Sequence, residues 1–381
     1  NYNVFDGDRR LSVVGQSNNI NQQNFSSEDL LGVVSAGQSR GRRGGFGGPG
    51  RMGGGGGGFG GGPPGMGSNA SDFLVGQQDG ISQTHAFGLN YTDKWGEKLE
   101  VSGSYFFNTT ENDALQFLER TWLGEGQEGF VYLEDDQSRS RNTNHRLRMR
   151  LEYQADANNS FIVQPRLTLQ QNTGSSLLAG DNLQGDNLLN RTTNDLETGL
   201  LAASFNNSVL WRRRLGKPFR TLSVNLSTGY DFNQGDRQLL SGFENVARPG
   251  QDNLLNQLAD LNASGWSAGT NVSYTDRLGK RGMLMASWSL SYQQNDSDQQ
   301  TFDFNESTNS RDLFNPELSN VFNNHYLTQQ LGAGYRFRKN KTMLIWIQRY
   351  GLVLPMHQIF TDRMPPVHRP PYNILWIVLI K

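Results

Sequence analysis

The chain of 381 residues balances 35 basic against 36 acidic side chains, a formal net charge of -1, so no global field marks it as a nucleic-acid binder. Cysteine is absent, which excludes a disulfide framework, a thiolate metal site and a cysteine nucleophile. The hydrophobic content of 35% and mean hydropathy of -0.62 suit a soluble chain, but they equally suit strands that are apolar only at every second residue.

No run approaches the roughly 20 apolar residues of a helical membrane span. The chain starts at Asn1 with no basic, apolar, small-residue leader, so an export signal is expected upstream. Residues 1–17 hold the turn Asp6-Gly7-Asp8 between two short arms, and the alternation of Leu11, Val13 and Gly15 with polar neighbours predicts a hairpin. Residues 18–80 are different. Ser26 or Ser27 can cap a short helical turn through Leu31, after which the text is nearly all glycine with scattered Arg, Pro, Phe and Met. Glycine loses most backbone entropy on ordering and buries nothing, so this stretch is expected to be a mobile loop.

From Ile81 to Asn108 two runs alternate strictly. Phe87, Leu89 and Tyr91 share one face, then Leu99, Val101, Tyr105 and Phe107, with Asp93 to Lys98 as the turn. A second hairpin is predicted from His145 to Gln170, turning at Ala155 to Ser160, with Pro165 out of place for a ladder residue. A third turns at Gly216-Lys217-Pro218, and its return strand alternates from Leu222 to Phe232. A fourth pairs Trp266 to Tyr274 with Leu284 to Tyr292, and a last one begins near His325 and turns at Arg338 to Lys341. The intervals 18–80, 109–143, 171–192, 233–263 and 294–324 are left as long polar loops.

Short turns at one end and long connections at the other, with strands near the roughly 9–11 residues that cross a bilayer at a tilt, are the layout of a membrane barrel. The fold class expected is therefore all-β: an antiparallel up-and-down transmembrane β-barrel segment of about 12 strands, incomplete, with long extracellular loops. The barrel occupies 81–344 with the 1–17 hairpin before it, while 345–381 reads as an anomalous tail. Aromatic residues near strand ends, namely Tyr91, Trp95, Phe107, Trp211, Tyr230, Phe232, Tyr274 and Tyr335, are candidates for interfacial girdles.

The words of the sequence add to the pattern. GDRRLSVVGQSNNINQQNFSSEDLLGVV, DGISQTHAFGLNYTDKWGEKLEVSGSYFFN, LGKPFRTLSVNLSTGYDFN and LGAGYRFRKNKTML resemble the TonB-dependent receptor-like outer-membrane β-barrel proteins of Gram-negative bacteria. The resemblance spans most of 1–344. It implies an outer-membrane location, contact with outer-membrane lipid, and import of an unknown ligand when an energised periplasmic protein pulls on a plug. This chain shows neither plug nor coupling box. After Leu344 the text IWIQRYGLVLPMHQIFTDRMPPVHRPPYNILWIVLIK departs from the family, and a shifted reading frame is expected there. Translating the DNA in the other two frames tests this.

Few residues suggest other chemistry. Gly265-Trp266-Ser267-Ala268-Gly269 matches a nucleophile elbow, which needs a strand, a sharp turn and a helix, but alternation runs through Ser267. The poly-glycine run meets a phosphate-loop pattern trivially, and SRGRRGGFGGPGR has the composition of RNA-binding RGG segments. The histidines, His85, His145, His325, His357 and His368, lack metal-ligand spacing, and the acidic runs lack the EF-hand series. No enzyme activity, cofactor, metal or nucleic-acid partner is expected. Arg146, Arg148 and Arg150 share the face opposite Leu147, Met149 and Leu151, with Arg166 expected beside them. Facing lipid each would cost about 2–4 kcal/mol, so they should face the lumen, for an anionic ligand or for acidic groups of a plug or nearby strand. The alternatives to import are a structural or adhesive surface barrel without transport and, more distantly, a soluble β-protein with an RNA-binding loop.

Overall fold

The computed structural model describes residues 2–19, 80–123, 129–279, 281–339, 342–360 and 372–380. The glycine-rich stretch, the RGG composition and the helical turn after Ser26 lie outside the described residues, as does His368. The first strands are β1 (Tyr2–Asp6), β2 (Arg9–Asn18), β3 (Ile81–Trp95), β4 (Leu99–Thr121) and β5 (Phe130–Gln154). There follow β6 (Asn159–Val163), β7 (Arg166–Gln184), β8 (Asn187–Arg214), β9 (Thr221–Glu244) and β10 (Asn253–Leu278). The series ends with β11 (Gly282–Asn305), β12 (Ser310–Phe314), β13 (Asn320–Lys339), β14 (Thr342–Phe360) and β15 (Tyr372–Ile380). No helix occurs among the described residues.

All 15 strands belong to one antiparallel sheet of up-and-down order. The topology is that of a β-barrel segment: sequence neighbours pair except that β6 and β7 both lie between β5 and β8 and β12 pairs only with β11, with β1 and β15 at the two edges. The tight turns fall where the sequence predicts them: Gly7, Gly96 and Gly216 adopt φ of 58°, 70° and 70°, which a side chain would oppose.

The proline at 165 is resolved by a break rather than a bulge. β6 and β7 flank Gln164-Pro165, yet Val163 pairs with Leu151 and Arg166 with Arg148, so the register is the same on both sides. The two pieces act as one strand. Around the gap the Pro165 carbonyl accepts from Met149 N–H at 3.0 Å and Gln164 N–H donates to Ser208 O at 2.8 Å, so the missing proline donor costs the ladder little.

One expectation changes, that of the long loops. The polar intervals 109–143, 171–192, 233–263 and 294–324 are mostly not loops: β4, β5, β7, β8, β9, β10, β11 and β13 run on through them, giving strands of up to 28 residues. Apolar residues there fall on both faces, Leu115 and Phe117 on one and Leu118 on the other, with Leu177 beside Leu178, so no period-2 signal marks the strand, but the backbone ladder continues regardless of side chain. Beyond Leu344 the chain is paired, with β14 on β13 and β15 on β14, and Pro355 sits next to a register shift opposite His325 and Tyr326; the reading frame of this tail is a separate matter for the DNA.

Candidate functional site: the two faces of the sheet

Because pairing keeps its phase from β2 to β13, the parity of one strand fixes the faces of all. One row runs Val13, Leu89, Tyr105, Leu147, Leu167, Phe205, Tyr230, Trp266 across eight strands, each residue directly opposite the next. A second row, nearer the tight turns, runs Trp95, Leu99, Tyr153, Phe161, Trp211, Val224, Val272, Trp288, Leu331, Tyr350. Many side chains of this face are open, Leu226 being 52%, Tyr230 49%, Trp266 43% and Leu331 61% exposed, while Val101 is closed at 3%.

The opposite face is polar and is closed across its middle, while Arg148, Arg150, Arg166, Arg212 and Arg214 nearer the tight turns are exposed. Asn108, Asn144, Gln170, Ala202, Asn233, Ala263 and Ser297 form a directly paired row. Within it Asn144 is 2% and Gln170 1% exposed. Gln170 Nε2 donates to Asn142 Oδ1 at 3.0 Å. Gly235 lies directly between Leu200 and Leu261, which with Ala259 and Ala263 make a small buried cluster on this side. The usual inside-outside rule for soluble proteins is thus inverted. A half-exposed aromatic ring shows roughly 100 Å². The apolar rows together present on the order of 1,000 Å², above the roughly 300–600 Å² of the largest patch on a soluble monomer.

All eight aromatic candidates, Tyr91, Trp95, Phe107, Trp211, Tyr230, Phe232, Tyr274 and Tyr335, lie on the apolar face. Polar handles at its turn-side margin are anchored: Tyr91 donates to Asp93 at 2.9 Å, Trp211 Nε1 to Asn159 Oδ1 at 3.3 Å, and Tyr274 to Asp276 at 3.1 Å. Arg220 ties the β8–β9 turn to the same Asp276 at 2.8 Å, and Arg277 stands over the Phe219 ring, 5.0 Å from its centre. The far margin carries a feature the sequence did not announce. His145 and His325, with no ligand spacing, each share a hydrogen bond through Nδ1 with a tyrosine hydroxyl, Tyr105 at 2.8 Å and Tyr292 at 2.7 Å. His85 bonds likewise to Ser17 at 2.9 Å. Beyond these residues the same face turns ionic, with Glu111–Arg141 at 3.2 Å and Asp113–Arg139 at 3.1 Å.

The four arginine candidates are brought together on the polar face. Arg148 stands directly opposite Arg166, and Arg146 and Arg150 flank Arg148 one inward-facing position away on either side. Arg150 pairs with Glu152 at 2.7 Å. Two further members escaped the sequence reading: Arg212 and Arg214 of β8 have the parity of Ser204 and Asn206, not that of Phe205 and Trp211. The run Trp211-Arg212-Arg213-Arg214 was visible, but only the register sends its alternate guanidinium groups to opposite faces.

Ser267 lies in the uninterrupted β10, directly opposite Gly229 and Gln293, so the elbow geometry is absent. The acidic runs are held in the strands: Asp181 by Arg191, Asp136 by Ser176, and Asp298 by Gln300. No group of three or more ligating side chains suited to a metal occurs among the described residues. Compared with known proteins, the chain matches no family model, no curated protein and no solved structure.

Proposed function

We propose that the chain is an outer-membrane β-barrel segment of a TonB-dependent-receptor-like protein, whose apolar face meets lipid and whose polar face lines the path of an imported ligand. One observation carries the membrane part: many leucine and aromatic side chains of one face are open, while the polar row through Asn108, Asn144, Gln170 and Ser297 on the other is closed. In water that inversion exposes far more apolar surface than a soluble monomer tolerates, and in a bilayer it is the stable arrangement. Arginines on the polar side and ion pairs beyond the aromatic margin agree with it. The receptor and import part rests on the sequence resemblance.

Flotation with phospholipid vesicles tests the membrane part. The folded chain should float and keep its strands protected from protease, whereas a detergent-free soluble monomer with the same β content would end the proposal. Import is tested separately, by ligand uptake in cells that possess or lack the energising periplasmic protein.

A further inference from the structure

The arginines of the polar face do more than avoid lipid. Taken by register, inward positions on β5 to β8 form successive rows: Arg146 with Thr168; Arg148 with Arg166; Arg150 level with Gln164; Glu152 with Ile162; then Arg212 with Ser160. The last row holds Arg214, whose backbone N–H donates to Asn158 O at 2.8 Å where the strands turn. Guanidinium groups therefore occur in all but one of these rows, over about 34 Å of strand at ~3.4 Å per residue. At the levels of these rows on the same face of β4 to β9, the strand carboxylates are Glu100, Glu152 and Asp231, with Asp156 in the turn beside Arg214, fewer than the 6 arginines; Glu134 and Asp136 lie farther along β5. Like charges directly opposed, as at Arg148 and Arg166, destabilise a strand pair unless an anion sits between them. Neither of those two arginines has an ion pair among the described residues.

We propose that this ladder binds multiply charged oxyanions, phosphate- or carboxylate-bearing small solutes, and hands them from row to row along the polar face. Guanidinium is the fitting group, since its planar fork meets an oxyanion with two hydrogen bonds and keeps its charge at any working pH. A docked acidic polypeptide would need one tight cluster. A graded series reaching the turn end suits a solute that must enter, be held weakly at several places, and leave. The inference deepens the membrane reading and depends on its assignment of faces.

The test uses inorganic pyrophosphate and the full chain in vesicles, with binding followed calorimetrically and flotation measured on the same samples. Arg148→Gln with Arg166→Gln should weaken pyrophosphate binding at least tenfold, and Arg212→Gln with Arg214→Gln should weaken it severalfold. Arg213→Gln removes the same charge from the opposite face between two ladder members and should leave binding within twofold. Conversion of the Arg148 and Arg166 pair to lysine should restore part of the loss and keep the salt sensitivity. An equal loss in Arg213→Gln overturns the proposal, as does binding of an acidic peptide but not of pyrophosphate by the parent chain. If the chain floats but ignores pyrophosphate, only the ladder falls. If it fails to float, the membrane reading falls.

Discussion

At the scale of single residues, two glycines show how rings are seated on this sheet. A Cβ on Gly282 would lie 2.5 Å from the Tyr335 hydroxyl and 2.7 Å from the Leu278 carbonyl, so the ring is laid over a position that has no side chain. Gly180 is covered by Tyr132 in the same way, at 2.5 Å. The consequences should differ. Tyr132 can swing away at the expense of its hydrogen bond to Glu134, whereas at Gly282 a backbone carbonyl blocks relief. Gly282→Ala is therefore expected to cost ~1–3 kcal/mol, read as a lower urea midpoint in detergent, and Gly180→Ala less. At the tip of the β7–β8 hairpin, the hydrogen bonds from Arg191 hold the Asp181 carboxyl below its ordinary value of 3.8. A lowered folded pKa adds stability that is complete above the unfolded value and is lost as pH falls through the folded one. Amide protection at this tip should accordingly be flat above about pH 4 and decline below it. Arg191→Gln should remove the decline, and a decline that persists would place its cause elsewhere.

At the scale of elements, the alternating half of each strand was legible and the other half was not. Leu222 to Phe232 could be read as a strand because successive residues alternate between apolar and polar. Residues 233–244 of the same β9 lose that contrast, and only the backbone ladder with β8 and β10 reveals them. The arginine face divided in the same manner. Arg146, Arg148 and Arg150 announced themselves by alternating with Leu147, Met149 and Leu151, while the parity of Arg212 and Arg214 needed the register across β6. The two-faced reading makes a sharp prediction within β9, where Leu226 and Ser227 are chain neighbours on opposite sides. Leu226→Arg lies in the middle of the apolar run and should cost ~2–4 kcal/mol of insertion free energy, while Ser227→Arg should cost far less. Equal insertion of both variants into vesicles would mean that neither face meets lipid.

For the molecule as a whole, the sheet has two edges, β1 and β15, that pair only on their inner sides among the described residues. Hydrocarbon leaves no backbone donor unsatisfied without a cost of several kcal/mol, so a sheet inserted in a bilayer must offer those edges a partner strand. The 13 strands on the continuous path alternate in direction, which makes β1 and β15 run the same way. Were they to meet, the closing pair would be parallel, unlike every other pair in the sheet. The apolar belt itself can be located without settling that pairing, because tryptophans of the apolar face stand at different distances along their strands from the tight turns, and a tilted sheet would carry such differences into depth. Trp288 occupies the centre of the apolar run Leu284 to Tyr292, whereas Trp95 lies beside the tight turn after β3 and Trp266 bonds at 2.7 Å to Gln294 at the far margin. With single-tryptophan variants in vesicles, bromine placed deep in the acyl chains should quench Trp288 most strongly. Bromine near the headgroups should favour Trp95 and Trp266, whose rings sit where aromatic residues gather at a membrane boundary. Quenching that is the same at all three heights would leave the belt without a depth axis. A sheet lying on a surface, rather than crossing a bilayer, would then explain the open rows better.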